Sequence, residues 1–97
     1  MYVFVRTDLT KPQQAVQATH AAIESTKKWP YPNQHPHLVL LQVKDENSLK
    51  KALDKADSHG ILTTAFHEDD VGMTAGATRP IINPEERKIF RKYQLLK

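Results

Sequence analysis

Gln13, Gln17, His20 and Glu24 recur at spacings of four, three and four. At about 100° per residue, that spacing lines them along one side of a helix. Two amides and an imidazole in such a stripe can orient a carbonyl, hold a water or pass a proton. An ordinary solvated helix face shows the same pattern, so its chemistry depends on what stands opposite. A second set comes late in the chain: Glu68, Asp69 and Asp70 in succession, with Thr74 four residues beyond Asp70. A carboxylate there can orient or deprotonate a water, and a neighbouring hydroxyl can share the task. The plain alternative is an exposed hydrophilic turn. A third set is cationic. On helical spacing Arg87, Lys88, Arg91 and Lys92 fall within about 140° of one another, opposite Ile89, Phe90, Tyr93 and Leu96. With Lys97 they make five of the 14 Lys and Arg residues, a face suited to phosphates or to the helix's own dipole. Trp29 and Tyr31 could stack on a base or anchor the proline-rich segment around them.

What is missing narrows the chemistry. Gly60, Gly72 and Gly76 are the only glycines, and none lies where a phosphate-cradling loop would follow a first strand. Ser25, Ser48 and Ser58 sit in helical patterns rather than in a nucleophile elbow, and cysteine is absent. His35 and His37 flank a proline, and no two histidines stand four apart on a helix, so neither a metal nor another cofactor is expected. Any catalysis must use water, amides, an imidazole and carboxylates. The 97 residues are 39% hydrophobic and 26% charged with a formal charge of +3, the balance of a small globular chain. No run approaches the roughly 20 apolar residues of a membrane span and no basic leader opens the chain, so the expectation is cytoplasmic, without a membrane partner.

These residues need elements to hold them. Residues 2–6 read as a strand. Thr10 is placed to cap a helix, with Gln13 completing a capping box and Pro12 in the first turn. That helix should run to about Lys28, its small-residue face of Ala15, Val16, Ala18, Thr19, Ala22 and Ile23 against a sheet. A proline-rich loop over residues 29–37 and an apolar strand over 38–43 follow. Asp45 caps a second helix with Leu49, Ala52, Leu53 and Ala56 inward, and Gly60 ends it. Residues 61–66 and 73–81 read as two antiparallel strands, and Asn83 and Pro84 open a last α-helix. The order is βαβαββα. It predicts one α/β domain over residues 1–97, three-layer α/β/α, with a four-stranded mixed sheet.

The opening Val5-Arg6-Thr7-Asp8-Leu9, followed by Gln14-Ala15-Val16-Gln17-Ala18-Thr19-His20-Ala21-Ala22, resembles the type II peptidyl-tRNA hydrolases. Their first motif is Arg-x-Asp-Leu and then Ala-Ala-Gln-x-x-His-Ala. Asp70-Val71-Gly72-Met73-Thr74 is similar to that family's Asp-x-Gly-x-Thr segment, and the resemblance covers nearly the whole chain. It implies cleavage of the ester between a peptide and the 3′ ribose of tRNA, without metal or organic cofactor, and a homodimer. By position Gln17 and His20 match the helix motif, and Asp70 and Thr74 the acidic segment, with Glu68 or Asp69 as alternatives for the carboxylate. In that reading Asp70 orients or deprotonates a water and His20 relays a proton. Gln13, Gln17 and Thr74 position the carbonyl, while Lys11, Arg87, Lys88, Arg91 and Lys92 hold tRNA phosphates. One departure stands out: the family's helix usually opens with a functional Lys, and Gln13 occupies that place. Gln13 donates a hydrogen bond but no charge, so the cationic role passes to Lys11 or is lost. The alternative is a weakened or inactive RNA-binding module on the same fold.

Overall fold

The computed structural model describes residues 1–30 and 37–97. Tyr31 and His35, assigned above to the proline loop, lie outside the described residues. The elements are β1 (Tyr2–Arg6), α1 (Lys11–Lys28), β2 (Val39–Val43), α2 (Glu46–Ser58), β3 (Thr63–Glu68), β4 (Gly72–Thr78), a 3-10 helix (Pro84–Phe90) and β5 (Gln94–Leu95).

Local signals account for most of these boundaries. The Thr10 hydroxyl accepts from the Gln13 backbone and the Gln13 side chain accepts from Thr10 N–H, the reciprocal capping box expected at the start of α1. Asp45 caps α2 by accepting from Ser48 N–H. At its far end Gly60 takes φ +79°, with Gly60 N–H on Asp57 O and Ile61 N–H on Ala56 O. This left-handed residue satisfies the last carbonyls of the helix and turns the chain toward β3.

The sheet order is β3-β4-β1-β2-β5. β1 pairs parallel with β2 and antiparallel with β4, which pairs antiparallel with β3. The sheet therefore has five strands rather than four, and the last segment is not the expected α-helix. Its 3-10 turns end at Phe90, after which Gln94 and Leu95 run extended beside Gln42 and Leu41. The physical reason lies in two destinations that one α-helix could not reach. Phe90 stacks on Tyr2 with centroids 4.1 Å apart, and Tyr93 meets Phe4 edge-on at 5.1 Å. Just beyond, the backbone covers the open edge of β2, with Leu96 N–H on Leu40 O at 2.9 Å. Only Arg87 and Lys88 lie on the 3-10 turns and Arg91 and Lys92 come after them, so the four cations do not share the stripe of one α-helix.

The buried residues form two clusters that alternate along β1. Phe4 belongs with Leu41, Leu49, Leu53, Ile61 and Phe90, whereas Val3 and Val5 belong with Ala18, Ala21, Ala75 and Ala77. Burying each such Val, Leu or Phe contributes about 1.5–3 kcal/mol. The second cluster corrects the expected face of α1. Its inward residues are Gln14, Gln17, Ala18, Ala21 and Ser25, while Ala15 and Thr19 are exposed and Val16 and Ile23 are half exposed. Helix α1 turns a partly polar side inward because most of its buried polar atoms find partners there, Gln14 Oε1 being left without one. Ser25 donates to Thr78 O at 2.8 Å, Gln14 donates to Leu9 O at 2.8 Å, and Gln17 bonds to Thr74. Ala18 and Ala21 supply the small residues that let the helix come close enough for those bonds.

Candidate functional site

The segment leading into α1, the first two turns of α1 and the β3–β4 turn enclose a cleft of about 290 Å³. Leu9, Gln13, Gln17, Glu68, Asp70, Val71 and Thr74 line it. Four of the five residues singled out for catalysis thus share one cleft across some 60 residues of sequence. Gln13 and Gln17 reach it because residues four apart stand above one another on a helix face.

A directed chain of hydrogen bonds crosses the cleft wall. Thr74 Oγ1 donates to Gln17 Oε1 at 2.8 Å, and Gln17 Nε2 donates to Glu68 Oε1 at 3.3 Å. Thr74 is fully buried and Gln17 is 8% exposed, and of the two acceptors near the Thr74 hydroxyl, Gln17 Oε1 at 2.8 Å is closer than Phe66 O at 3.3 Å. With its proton committed to Gln17, the Thr74 oxygen is left to accept. Glu68 is likewise fixed by Gln17, whereas Asp69 and Asp70 are exposed on the turn. The oxygen of Gln13 is used within the capping box, accepting from Thr10 N–H at 2.9 Å, which leaves its NH2 group to donate.

The turn bearing Asp70 is clamped from two sides. Arg6 Nη1 donates to Val71 O at 2.7 Å and Met73 O at 3.0 Å, while its Nε and Nη2 grip Asp8 at 2.9 and 2.8 Å. That fork holds the Asp8 carboxyl below its ordinary value, chiefly through the hydrogen bond from Arg6, and raises Arg6 in turn. On the other side Met73 N–H donates to Glu46 Oε2 at 2.8 Å, which lowers Glu46 below its usual range. Gly72 between them takes φ +79°, and a Cβ there would collide with the Glu46 carboxylate. Sequence reasoning missed this clamp. Arg6 and Asp8 carried a signal as part of the opening motif, but Glu46 reads only as an acid in the first turn of α2.

Other expected site residues lie elsewhere. His20 does not line the cleft; its ring stacks on Phe66, centroids 4.4 Å apart and planes 4° from parallel. Lys11 Nζ donates to the Lys97 carbonyl at 2.5 Å. Lys88 pairs with Glu85 at 2.8 Å, and Arg87 and Arg91 are exposed. Lys92 lies 5.5 Å from the Tyr93 ring centroid and borders a second cleft with Lys44, Thr7 and Gln94. Arg87, Lys88, Arg91 and Lys92 flank Phe90, whose buried ring packs with Phe4, Leu49 and Leu53, and none of them lines the first cleft. Among the described residues, no three His, Cys, Asp or Glu side chains come together as metal ligands would.

The mixed α/β sheet thus carries a small polar cleft that gathers an exposed carboxylate, a buried hydroxyl and two amides, groups able to orient a water or a carbonyl. Comparison supplies the family: the model of the peptidyl-tRNA hydrolase PTH2 family matches residues 1–96, and the chain belongs to that family. No curated protein matches it. The family acts on peptidyl-tRNA and is a family of hydrolases.

Proposed function

We propose that this protein hydrolyses the ester between a peptidyl or N-blocked aminoacyl group and the 3′ ribose of tRNA in the cytoplasm, at the cleft between α1 and the β3–β4 turn. The reading rests on one observation: Asp70, Thr74, Gln17 and Gln13 line the same small cleft. A water donating to both the Asp70 carboxylate and the Thr74 oxygen would point its lone pair at a bound acyl carbon. As the water oxygen bonds to that carbon, its proton passes to Asp70. The acyl–oxygen bond then breaks, and the 3′ oxygen of the ribose recovers the proton from Asp70. The NH2 groups of Gln13 and Gln17 stabilise the oxyanion in between, as neutral donors. Lys11, Arg87, Lys88, Arg91 and Lys92 remain the residues for tRNA phosphates, at a distance from the reacting bond. A three-layer α/β/α scaffold, supported by the alternation along β1, makes up the single domain of this reading. A homodimer has its support in the half-exposed Val16 and Ile23 on the outer side of α1.

The competing reading, an RNA-binding module without turnover, is favoured by a specific feature: the cleft is lined by two carboxylates and two amides and by no cation. Release of an N-blocked amino acid from its tRNA decides between them. Asp70→Asn should lower kcat by about 10²–10⁴-fold, the usual contribution of a positioned base. Gln13→Lys should raise it by adding charge at the oxyanion. Turnover unaffected by Asp70→Asn overturns the assignment of the base. No turnover in the parent chain, with salt-sensitive tRNA binding, leaves the binding module.

A further inference from the structure

His20 and Phe66 form a pre-assembled aromatic platform between α1 and β3, the elements that bear Gln17 and Glu68 of the cleft, and nothing in the hydrolytic chemistry uses it. The two rings are 4° from parallel with centroids 4.4 Å apart, Phe66 half-buried and His20 exposed above it. The platform is tied to the cleft through both of its elements. His20 lies one turn beyond Gln17 on α1, while Phe66 stands two residues before Glu68 on β3 and its carbonyl oxygen lies 3.3 Å from Thr74 Oγ1. The imidazole thus has one face against Phe66, and the stack leaves its other face as the outer surface. A flat ring already held in place can take a third ring without ordering new side chains. Base–aromatic stacking needs no more than such a face and is tolerant of base identity.

We infer that His20, backed by Phe66, is the stacking platform for the nucleobase of the ester-bearing 3′ nucleotide, so that it binds the substrate's last base instead of moving a proton. This rests on the function proposed above, because it is that reading which puts a terminal nucleotide beside Thr74 and Asp70. Stacking the base on His20 holds the adjoining ribose at the mouth of the cleft. A protein with this platform discriminates an acyl ester on a nucleotide from the same ester on a bare sugar or a simple alcohol.

Two measurements on the full chain test it, one of them independent of hydrolysis. In the first, a short single-stranded RNA ending in 2-aminopurine is titrated with the parent protein, His20→Phe and His20→Leu. Stacking quenches the fluorophore. The parent and His20→Phe should quench it, while His20→Leu, which keeps an apolar contact on Phe66 but loses the flat face, should bind about tenfold more weakly or not quench. In the second, hydrolysis of the N-blocked aminoacyl ester should show the His20→Leu defect as an increase of about tenfold in KM rather than a fall in kcat, restored by His20→Phe. With the terminal base removed from the substrate, parent and His20→Leu should share one KM. A His20→Phe protein as impaired as His20→Leu with the loss in kcat, or no quenching by the parent at saturating RNA, overturns the platform. If the parent hydrolyses no ester, the proposed function falls by itself, and the quenching titration still decides whether His20 stacks a base.

Discussion

Thr74→Val is the perturbation that reads the cleft's internal wiring most directly. Valine matches threonine in shape, so it removes the hydroxyl and little else. The hydroxyl lost is fully buried and sits 2.8 Å from the Oε1 of a Gln17 that is itself 8% exposed. Its removal leaves that amide oxygen in a buried place without its donor, at a cost of about 1–3 kcal/mol. A domain of this size has about 5–15 kcal/mol in total, and each kcal/mol moves its melting temperature by about 4–8 °C. Thr74→Val should therefore melt about 10 °C lower, with an unchanged denaturant slope if the fold is intact. Gln17→Leu should cost no more, since the Thr74 hydroxyl can turn to Phe66 O at 3.3 Å and the half-buried Glu68 oxygen can turn to water. The double variant removes donor and acceptor together, and its loss should fall short of the sum of the singles by at least about 0.5–1 kcal/mol. Urea unfolding of the four proteins measures the cycle. Strict additivity would refute the reasoning, because it would mean that the two side chains do not depend on each other in the folded protein.

Two other outcomes follow from the packing and the charges. Gly76 lies on β4 where an added Cβ would come within 2.6 and 2.7 Å of the Leu53 methyls, so Gly76→Ala should destabilise by about 1–3 kcal/mol through overpacking. In a Leu53→Ala background the same substitution should cost less, as denaturant midpoints would show. Glu86 is gripped by Arg79 at 2.7 and 3.2 Å and accepts from Ile82 N–H, and the Arg79 hydrogen bond, ahead of the others, brings its pKa to about 2 from the ordinary 4.5. A folded value below the unfolded one contributes stability above the unfolded pKa that is lost as pH falls through the folded one. The parent should lose this contribution between about pH 4.5 and pH 2, and Arg79→Gln should flatten that limb of a plot of urea midpoint against pH. An Arg79→Gln protein with the parent's acid limb would show the pair contributes nothing to it.

The residues differ in how much of their role shows in one dimension. The first strand, the capping box of Thr10 and Gln13, the Asp45 cap and the Gly60 terminator were legible because each is a short-range matter, settled by neighbours within four residues. The opening motif and the acidic segment were legible too, and they pointed to the family whose model matches residues 1–96. The end of the chain was not. A stretch with helical spacing broke off at Phe90 because Tyr2 and Phe4, more than 80 residues away, offered an aromatic seat, and β2 offered an unpaired edge.

The amino-acid order by itself determined which side chains this protein has for chemistry, amides, carboxylates, hydroxyls and an imidazole with no thiol, and the helices and strands that carry them. Only the tertiary structure decided how they are shared out. Periodicity put Ala15, Val16, Thr19 and Ile23 of α1 inward, yet the helix lies with Gln14, Gln17 and Ser25 toward the sheet. Apolar pattern is a property of the helix alone, whereas burying an amide depends on a partner, and the partner of Gln17 is Thr74, 57 residues along the chain. That rotation brings Gln17 into the cleft, seats His20 on Phe66, and leaves Val16 and Ile23 facing outward.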